Sequence, residues 1–285
     1  MTHPVKLIRQ GEFSPLVLDS PHSGVDYPDD FQYCVNFADL RRAEDTHVDS
    51  LYDFCSSIGA SMVAAQFPRS YIDANRSLEE IDPELLASPW PQPYTLSNKA
   101  RLGKGLVWRM LDGGQNIYAR KLSVAEIEHR IRHCWHPYHA LVKEALRQAY
   151  EQHGFFMHIN CHSMPSVSDR YSTDQPGLVH PDVVLGDRDG TSADPEITAH
   201  LQDLFLKRGY SCWINRPYKG VELVRAYSDP GLRRHSIQLE VNRRLYMDEK
   251  SLERHHGYDR LRADLQEILV DLLAFCEAKY ALSDA

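Results

Sequence analysis

The sequence predicts an α/β domain, a mostly parallel sheet with helices covering both faces. Three observations lead there. Short apolar runs recur along the chain, each the length of one strand. Segments with helical periodicity separate them. The polar residues best suited to chemistry gather just after the apolar runs, where the ligand crevice of an open α/β sheet lies. Strands that alternate with helices favour parallel pairing and burial of both sheet faces.

The expected strands, in order, are "PLVLDS" from 15, "SMVAAQF" from 61, "FFMHIN" from 155, "DVVLG" from 182, "YSCWIN" from 210 and "SIQLEV" from 236. Residues 37–58 place Phe37, Leu40, Val48, Leu51, Phe54 and Ile58 on roughly one side, as a helix would. Residues 123–152 do the same with Ile127, Ile131, Leu141, Leu146 and Tyr150. The segment 194–208 opens with Asp194-Pro195, a cap and first-turn pair, and stops at Gly209. Residues 257–280 form a long amphipathic helix. The region 77–117 is rich in Pro, Gly and Ser and is expected to be a loop-rich insertion in a single domain spanning 1–285.

Composition narrows the function. The chain has 285 residues, of which 42% are hydrophobic and 25% charged, as in a soluble globular protein. No run approaches the roughly 18 apolar residues of a membrane span. The start, "MTHPVKLIRQ", lacks the apolar core of a signal peptide, so a cytoplasmic location is expected. The six cysteines are scattered without a CxxC pair, which suggests neither a zinc ribbon nor a redox motif. A net charge of −8 argues against a nucleic-acid partner. The expected partner is a small acidic substrate, so local arginines must overcome the global field. The sequence leaves the oligomeric state open.

The stretch "DSPHSGVDYP", 19–28, sets His22 in a turn-rich segment straight after an apolar run. His162 recurs in "NCHSM" after another. Two histidines and one carboxylate make a standard catalytic zinc shell with a position left for water. In "AEDTH", Glu44, Asp45 and the nearby His47 compete to complete it. The plainer alternative, a turn histidine bonded to backbone, suits either histidine alone better than both in near-matching contexts. "FPRSYIDANRS" offers Arg69, Asn75 and Arg76, and arginine forks match carboxylates. A surface salt-bridge cluster is the competing reading. Glu240 lies inside the apolar run "SIQLEV", where a carboxylate must be paired, neutral or facing a cavity. A general base is one such use. "EHRIRHCWHPYHA" spaces His129, His133 and His136 along a helix, but no acid joins them and Pro137 interrupts, so a bent structural helix is expected. There is no GxSxG, P-loop, GxGxxG or HExxH, which removes the usual support for serine-hydrolase, nucleotide and zincin chemistry.

Together "LVLDSPHSG", "EDTHVDSLYDF", "PRSYIDANRS", "INCHSM" and "SIQLEVNRRLYMDE", in this order, resemble the N-formylglutamate amidohydrolase family over roughly residues 14 to 270. The resemblance implies hydrolysis of N-formyl-L-glutamate to glutamate and formate, the last step of one bacterial histidine-degradation route. That family is similar to the zinc carboxypeptidases and the aspartoacylase and succinylglutamate desuccinylase group. The likeness implies a three-layer αβα sandwich with a mixed sheet and one zinc ion. By motif, His22 and His162 take the two histidine-ligand roles. Asn75-Arg76 resembles the pair that grips a substrate carboxylate, Arg69 the arginine that polarises the scissile carbonyl, and Glu240 the base. The carboxypeptidase pattern is His-x-x-Glu, but position 25 is Val25, so the carboxylate ligand comes from elsewhere, with Asp45 taken ahead of Glu44. Arg216 or Arg225 is expected to hold a second substrate carboxylate. Another N-acyl-amino-acid amidohydrolase or a peptidase is the nearest alternative. A non-catalytic protein that binds an acidic metabolite is the alternative from another class, and it would have no need of Glu240.

Overall fold

All six apolar runs fold as strands in the computed structural model, which describes residues 3–9, 14–168 and 175–280. The strands are β1 (Val5–Ile8), β2 (Leu16–Ser20), β3 (Ser61–Ala65), β4 (Phe156–Met164), β5 (Val183–Gly186), β6 (Cys212–Ile214) and β7 (Arg234–Asn242). They form one seven-stranded mixed sheet in the order β1-β3-β2-β4-β7-β5-β6. The block β3-β2-β4-β7 is parallel, while β1 and β5 each join it antiparallel. The α/β class with a mostly parallel sheet is therefore observed. Every residue of β2, β3, β4 and β5 is buried, which is why these strands read as continuous apolar runs. The additional strand β1 is four residues long, with two of them exposed, and so leaves no such run.

Side chains alternate across the sheet and feed two cores. Leu16 and Leu18 of β2 enter one, Val17 the other. The first core is closed by α6 (Pro195–Lys207) and α8 (Gly257–Tyr280), through Ile197, Leu201, Leu265 and Leu269. Asp194 caps α6 by accepting from the Glu196 N–H. The second core is closed by α5 (His136–His153), through Tyr138, Val142 and Leu146. Helices thus cover both faces, and none is long and apolar enough to cross a membrane among the described residues.

Two expected helices are modified. Residues 37–58 form α1 (Phe37–Arg41), α2 (Val48–Leu51) and a 3₁₀ turn at Asp53–Ile58 rather than one helix. The break falls on "EDTH": Asp45 N–H donates to His22 O, and His47 adopts a left-handed φ of 69°. Residues 124–153 run as α4 (Val124–Arg130), a π-helical turn at Ile131–Trp135, and α5. Pro137 lacks the N–H that a regular helix would use there. The segment 77–117 carries only a 3₁₀ turn at Pro83–Leu85 and α3 (Asn98–Arg101), yet Leu85, Leu106, Trp108 and Ile117 pack into the second core. A short helix not expected from the sequence, α7 (Glu222–Tyr227), lies between β6 and β7 in the chain.

Candidate active site

The carboxyl ends of β2, β3, β4 and β7 lie side by side, and the polar segments that follow them meet there. β4 and β7 pair in register with His162 opposite Glu240. His22 follows β2 in the turn shaped by Pro21 and Gly24. A Cβ on Gly24 would stand 2.2 Å from Phe67 O and 2.4 Å from Gln66 C, so the chain after β2 can lie against the chain after β3 only with glycine. Gly24→Ala is expected to destabilise the fold by about 1–3 kcal/mol, the usual cost of overpacking. A thermal melt checks this, and an unchanged midpoint would contradict the close-approach argument.

Ser23 ties this turn to "EDTH". Its hydroxyl donates to Asp45 O at 3.1 Å and accepts from Asp49 N–H at 3.1 Å. Asp45 thereby comes to His22 and His162, all three buried, with one potential ligand atom each within 4.8 Å of the others. Among the described residues this is the group of three or more His, Cys, Asp or Glu arranged to hold an ion. His22 Nε2 donates to Asp73 Oδ1 at 2.7 Å, which leaves Nδ1 to turn a lone pair toward Asp45 Oδ2 at 3.3 Å. His162 Nδ1 lies 2.9 Å from the same oxygen, and its Nε2 lies 2.8 Å from Asn160 Oδ1. Asn160 is fixed in that orientation because its amide nitrogen donates to Asp19 Oδ1 at 2.8 Å. Both Nδ1 atoms thus face one carboxylate oxygen, and the three groups can turn one donor atom each toward a common cation. Acceptors that hold the far ring nitrogen are the usual outer support of metal-ligating histidines.

The other two candidates in "AEDTH" point elsewhere. Glu44 accepts from Tyr27 Oη at 2.6 Å and from Arg41 Nε at 3.1 Å. His47 Nε2 donates to Leu252 O at 2.9 Å. The sequence reading did not single out Asp73, which also accepts from Arg69 Nη2 and Trp108 Nε1, both at 3.2 Å. Its spacing of four residues from Arg69 was the available signal. It also passed over Arg243, three residues beyond Glu240, whose Nη2 donates to Asp45 Oδ1 at 3.0 Å. Burial alone would raise the Asp45 carboxyl, but its contacts with His162 and His22 and the charge of Arg69 hold it well below the ordinary value. Burial is likewise outweighed at Asp73, here by its contact with His22 and the charges of Arg69 and Arg76.

A cleft of about 220 Å³ opens over this cluster, with His22, Asp45, Arg69, Asn75, Arg76, His162 and Glu240 all in its wall. That is smaller than the roughly 300–1,000 Å³ of drug-sized sites and suits a small metabolite. Glu240 is buried, and burial raises its carboxyl above the ordinary value, with the Asp45 charge adding to this against His162 and Arg69. Gln238 Nε2 donates to Glu240 Oε1 at 2.8 Å and steadies it. Arg76 is buried and has no carboxylate within ion-pair distance among the described residues. Its Nε donates to Lys104 O and its Nη1 to Asn75 O. Asn75 reaches the cleft with its amide engaged: Oδ1 accepts from Leu223 N–H at 3.0 Å, and Nδ2 lies 3.0 Å from His162 Nε2.

The structure does not bring Arg216 or Arg225 into this cleft. Arg216 is exposed and stacks over Trp213 at 5.5 Å. Arg225 is exposed and pairs with Glu222 one helical turn earlier at 2.8 Å. The cleft draws its further cations from Arg42, Lys99, Lys104 and Arg243 instead, so its wall is basic in a chain of charge −8. His129 and His133 lie with their rings tilted and 4.1 Å apart, both exposed and outside the cleft wall.

Comparison with known proteins follows the same lines. A family model described as N-formylglutamate amidohydrolase matches residues 14–247. N-formylglutamate deformylase of Pseudomonas aeruginosa is 29% identical over 277 residues, covering 94% of this chain and 96% of its own length. The enzyme of the same name from Pseudomonas putida is 29% identical over 273 residues, covering 93% and 95%. The crystal structure of N-formylglutamate amidohydrolase from Ralstonia eutropha JMP134 superposes with a TM-score of 0.93 at 42% identity, covering 97% of this chain and 99% of that one.

Proposed function

The chain belongs to the N-formylglutamate amidohydrolase family, and from that premise we propose that it hydrolyses N-formyl-L-glutamate to formate and L-glutamate with one zinc ion held by His22, Asp45 and His162. The observation that carries the proposal is the convergence in one cleft of that donor set, the buried Glu240 and a buried arginine without a carboxylate. Two imidazoles and a carboxylate suit zinc, with positions left open for chemistry. Zinc in this position supplies Lewis acidity toward the formyl oxygen and the attacking water.

The chain's own residues do the rest. Glu240 takes the proton from the attacking water on its carboxylate and delivers it to the departing amine nitrogen. Burial raises its carboxyl above the ordinary value, the direction that favours taking up a proton. Arg69 donates to the carbonyl oxygen as negative charge develops there. Arg76 receives one substrate carboxylate, and Asn75, anchored by Leu223 N–H, steadies the backbone from which Arg76 projects. The second carboxylate falls to the further cations of the cleft wall, in place of Arg216 and Arg225. The setting in histidine degradation rests on the family resemblance alone.

Steady-state kinetics test these roles. Arg76→Ala is expected to raise KM for N-formyl-L-glutamate by roughly 10- to 100-fold, since a hydrogen bond to a charged group is worth about 1.5–3 kcal/mol. Arg69→Ala is expected to act chiefly on kcat, because its partner gains charge in the transition state. N-formyl-L-leucine is expected to be a poor substrate for the wild type. Equal cleavage of both substrates would remove the carboxylate clamp and favour a broader amidohydrolase.

A further inference from the structure

Residues 71–76 follow β3 without regular secondary structure, yet Tyr71 to Asn75 are all buried. This segment carries Asn75 and Arg76 into the cleft and Asp73 behind His22, so its carbonyls need partners that a helix or strand would normally supply. The partners are side chains of one helix. Arg130 Nη1 donates to Tyr71 O at 2.9 Å, His139 Nε2 to Ala74 O at 2.8 Å, and Trp135 Nε1 to Arg76 O at 3.0 Å. The carbonyl between the last two, Asn75 O, is taken by the Arg76 guanidinium itself at 3.0 Å.

The spacing of these three anchors explains the π-helical turn at Ile131–Trp135. In a regular α-helix at about 100° per residue, positions 135 and 139 would stand about 140° and about 180° from position 130. Arg130 would then face away from the other two. One extra residue in a π-turn reduces those angles to about 40° and about 80° and gathers all three on one face. Each anchor is itself immobilised. Arg130 is buried over the Tyr71 ring at 4.1 Å, with the rings of Tyr118 and Phe31 at 5.5 and 5.6 Å. Trp135 stacks on His139 at 3.6 Å. His139 Nδ1 accepts from Tyr227 Oη at 2.7 Å, at the far end of α7, whose first turn holds the Asn75 side chain through Leu223 N–H. Burial keeps His139 neutral, with its pKa lowered to about 4, so one ring nitrogen donates while the other accepts.

We infer that Arg130, Trp135 and His139, aligned by the π-turn, are positioning residues that set the carboxylate-binding Arg76 by pinning the backbone on either side of it. This rests on the function proposed above for the role of Arg76, but the pinning itself does not. Trp135→Phe keeps the ring stack and removes the one N–H. It is expected to raise KM for N-formyl-L-glutamate about 3- to 10-fold, the range of a single neutral hydrogen bond, with kcat within a factor of two and zinc content unchanged. In an Arg76→Ala background the same substitution is expected to have no further effect on KM, because its action runs through Arg76. An additive loss in the double variant, or a fall in kcat with KM unchanged, would overturn the positioning role. Amide hydrogen exchange gives a readout independent of substrate. Faster exchange at residues 73–77 in Trp135→Phe, with α5 as protected as in the wild type, supports the pinning, and exchange unchanged at 73–77 overturns it. A wild type inactive on N-formyl-L-glutamate would overturn the function proposed above and leave the exchange result to decide the pinning.

Discussion

His22→Ala and His162→Ala will each purify folded but depleted of zinc, with kcat/KM below a hundredth of wild type. Outer-sphere partners of a metal alone cost about 10–100-fold, and the ligand itself is expected to cost more. The expectation follows from Asp45 Oδ2 lying 3.3 Å from one Nδ1 and 2.9 Å from the other, with Asp73 and Asn160 on the far ring nitrogens. Removing either ring takes away one of three donors and leaves the buried Asp45 carboxylate short of a partner. Asp45→Asn is expected to weaken metal binding more than Glu44→Gln, because Glu44 is already held by Tyr27 and Arg41. Metal analysis of the four purified variants checks this. Normal zinc in both histidine variants would remove the ligand assignment, and a larger loss in Glu44→Gln would reverse the choice of carboxylate.

Glu240→Gln will retain its metal and its affinity for substrate while losing about 10²–10⁴-fold in turnover, the usual contribution of a positioned acid–base group. The amide keeps the size of the side chain and a partner for Gln238, but takes no proton. Stability supplies a control on folding. Burial raises the Glu240 carboxyl, so in metal-free protein the folded state holds this proton to higher pH than the unfolded chain does. That contribution favours folding below the unfolded pKa and is lost as pH rises through the folded one. Glutamine does not ionise, and the metal-free variant is therefore expected to melt no lower than wild type at neutral pH. Turnover within a factor of two of wild type would show that Glu240 is not the base.

The sheet was legible because its central strands are buried and each carries a short apolar core, from Leu16–Ser20 to Arg234–Asn242. β1 and α7 were not, being short and only partly buried. The break in 37–58 was hidden for a different reason. Phe37, Leu40, Val48 and Leu51 keep helical spacing across it, while the cause of the break, the bond from Asp45 N–H to His22 O, joins residues distant in sequence. The same limit governs the cleft. His22, His162 and Glu240 announced themselves by ending or interrupting apolar strands. Asp73 and Arg243 act chiefly through partners distant in sequence, His22 and Asp45, and the one local sign, the spacing of Asp73 four residues after Arg69, names no role. Arg216 and Arg225 looked equivalent to Arg76 by residue type alone. They differ in that one stacks on a neighbouring tryptophan and the other satisfies its own helix, whereas Arg76 is buried with no carboxylate within ion-pair distance among the described residues.

The activity proposed above is a metal-dependent hydrolysis of a formyl group from an acidic amino acid. The direct measurement is formate and glutamate release from N-formyl-L-glutamate by the purified protein, as isolated, after chelation and after zinc is restored. Formate and glutamate are predicted to appear in equal amounts, to stop on chelation and to resume with zinc. No release by the zinc-loaded protein, or release that chelation leaves unchanged, would contradict it.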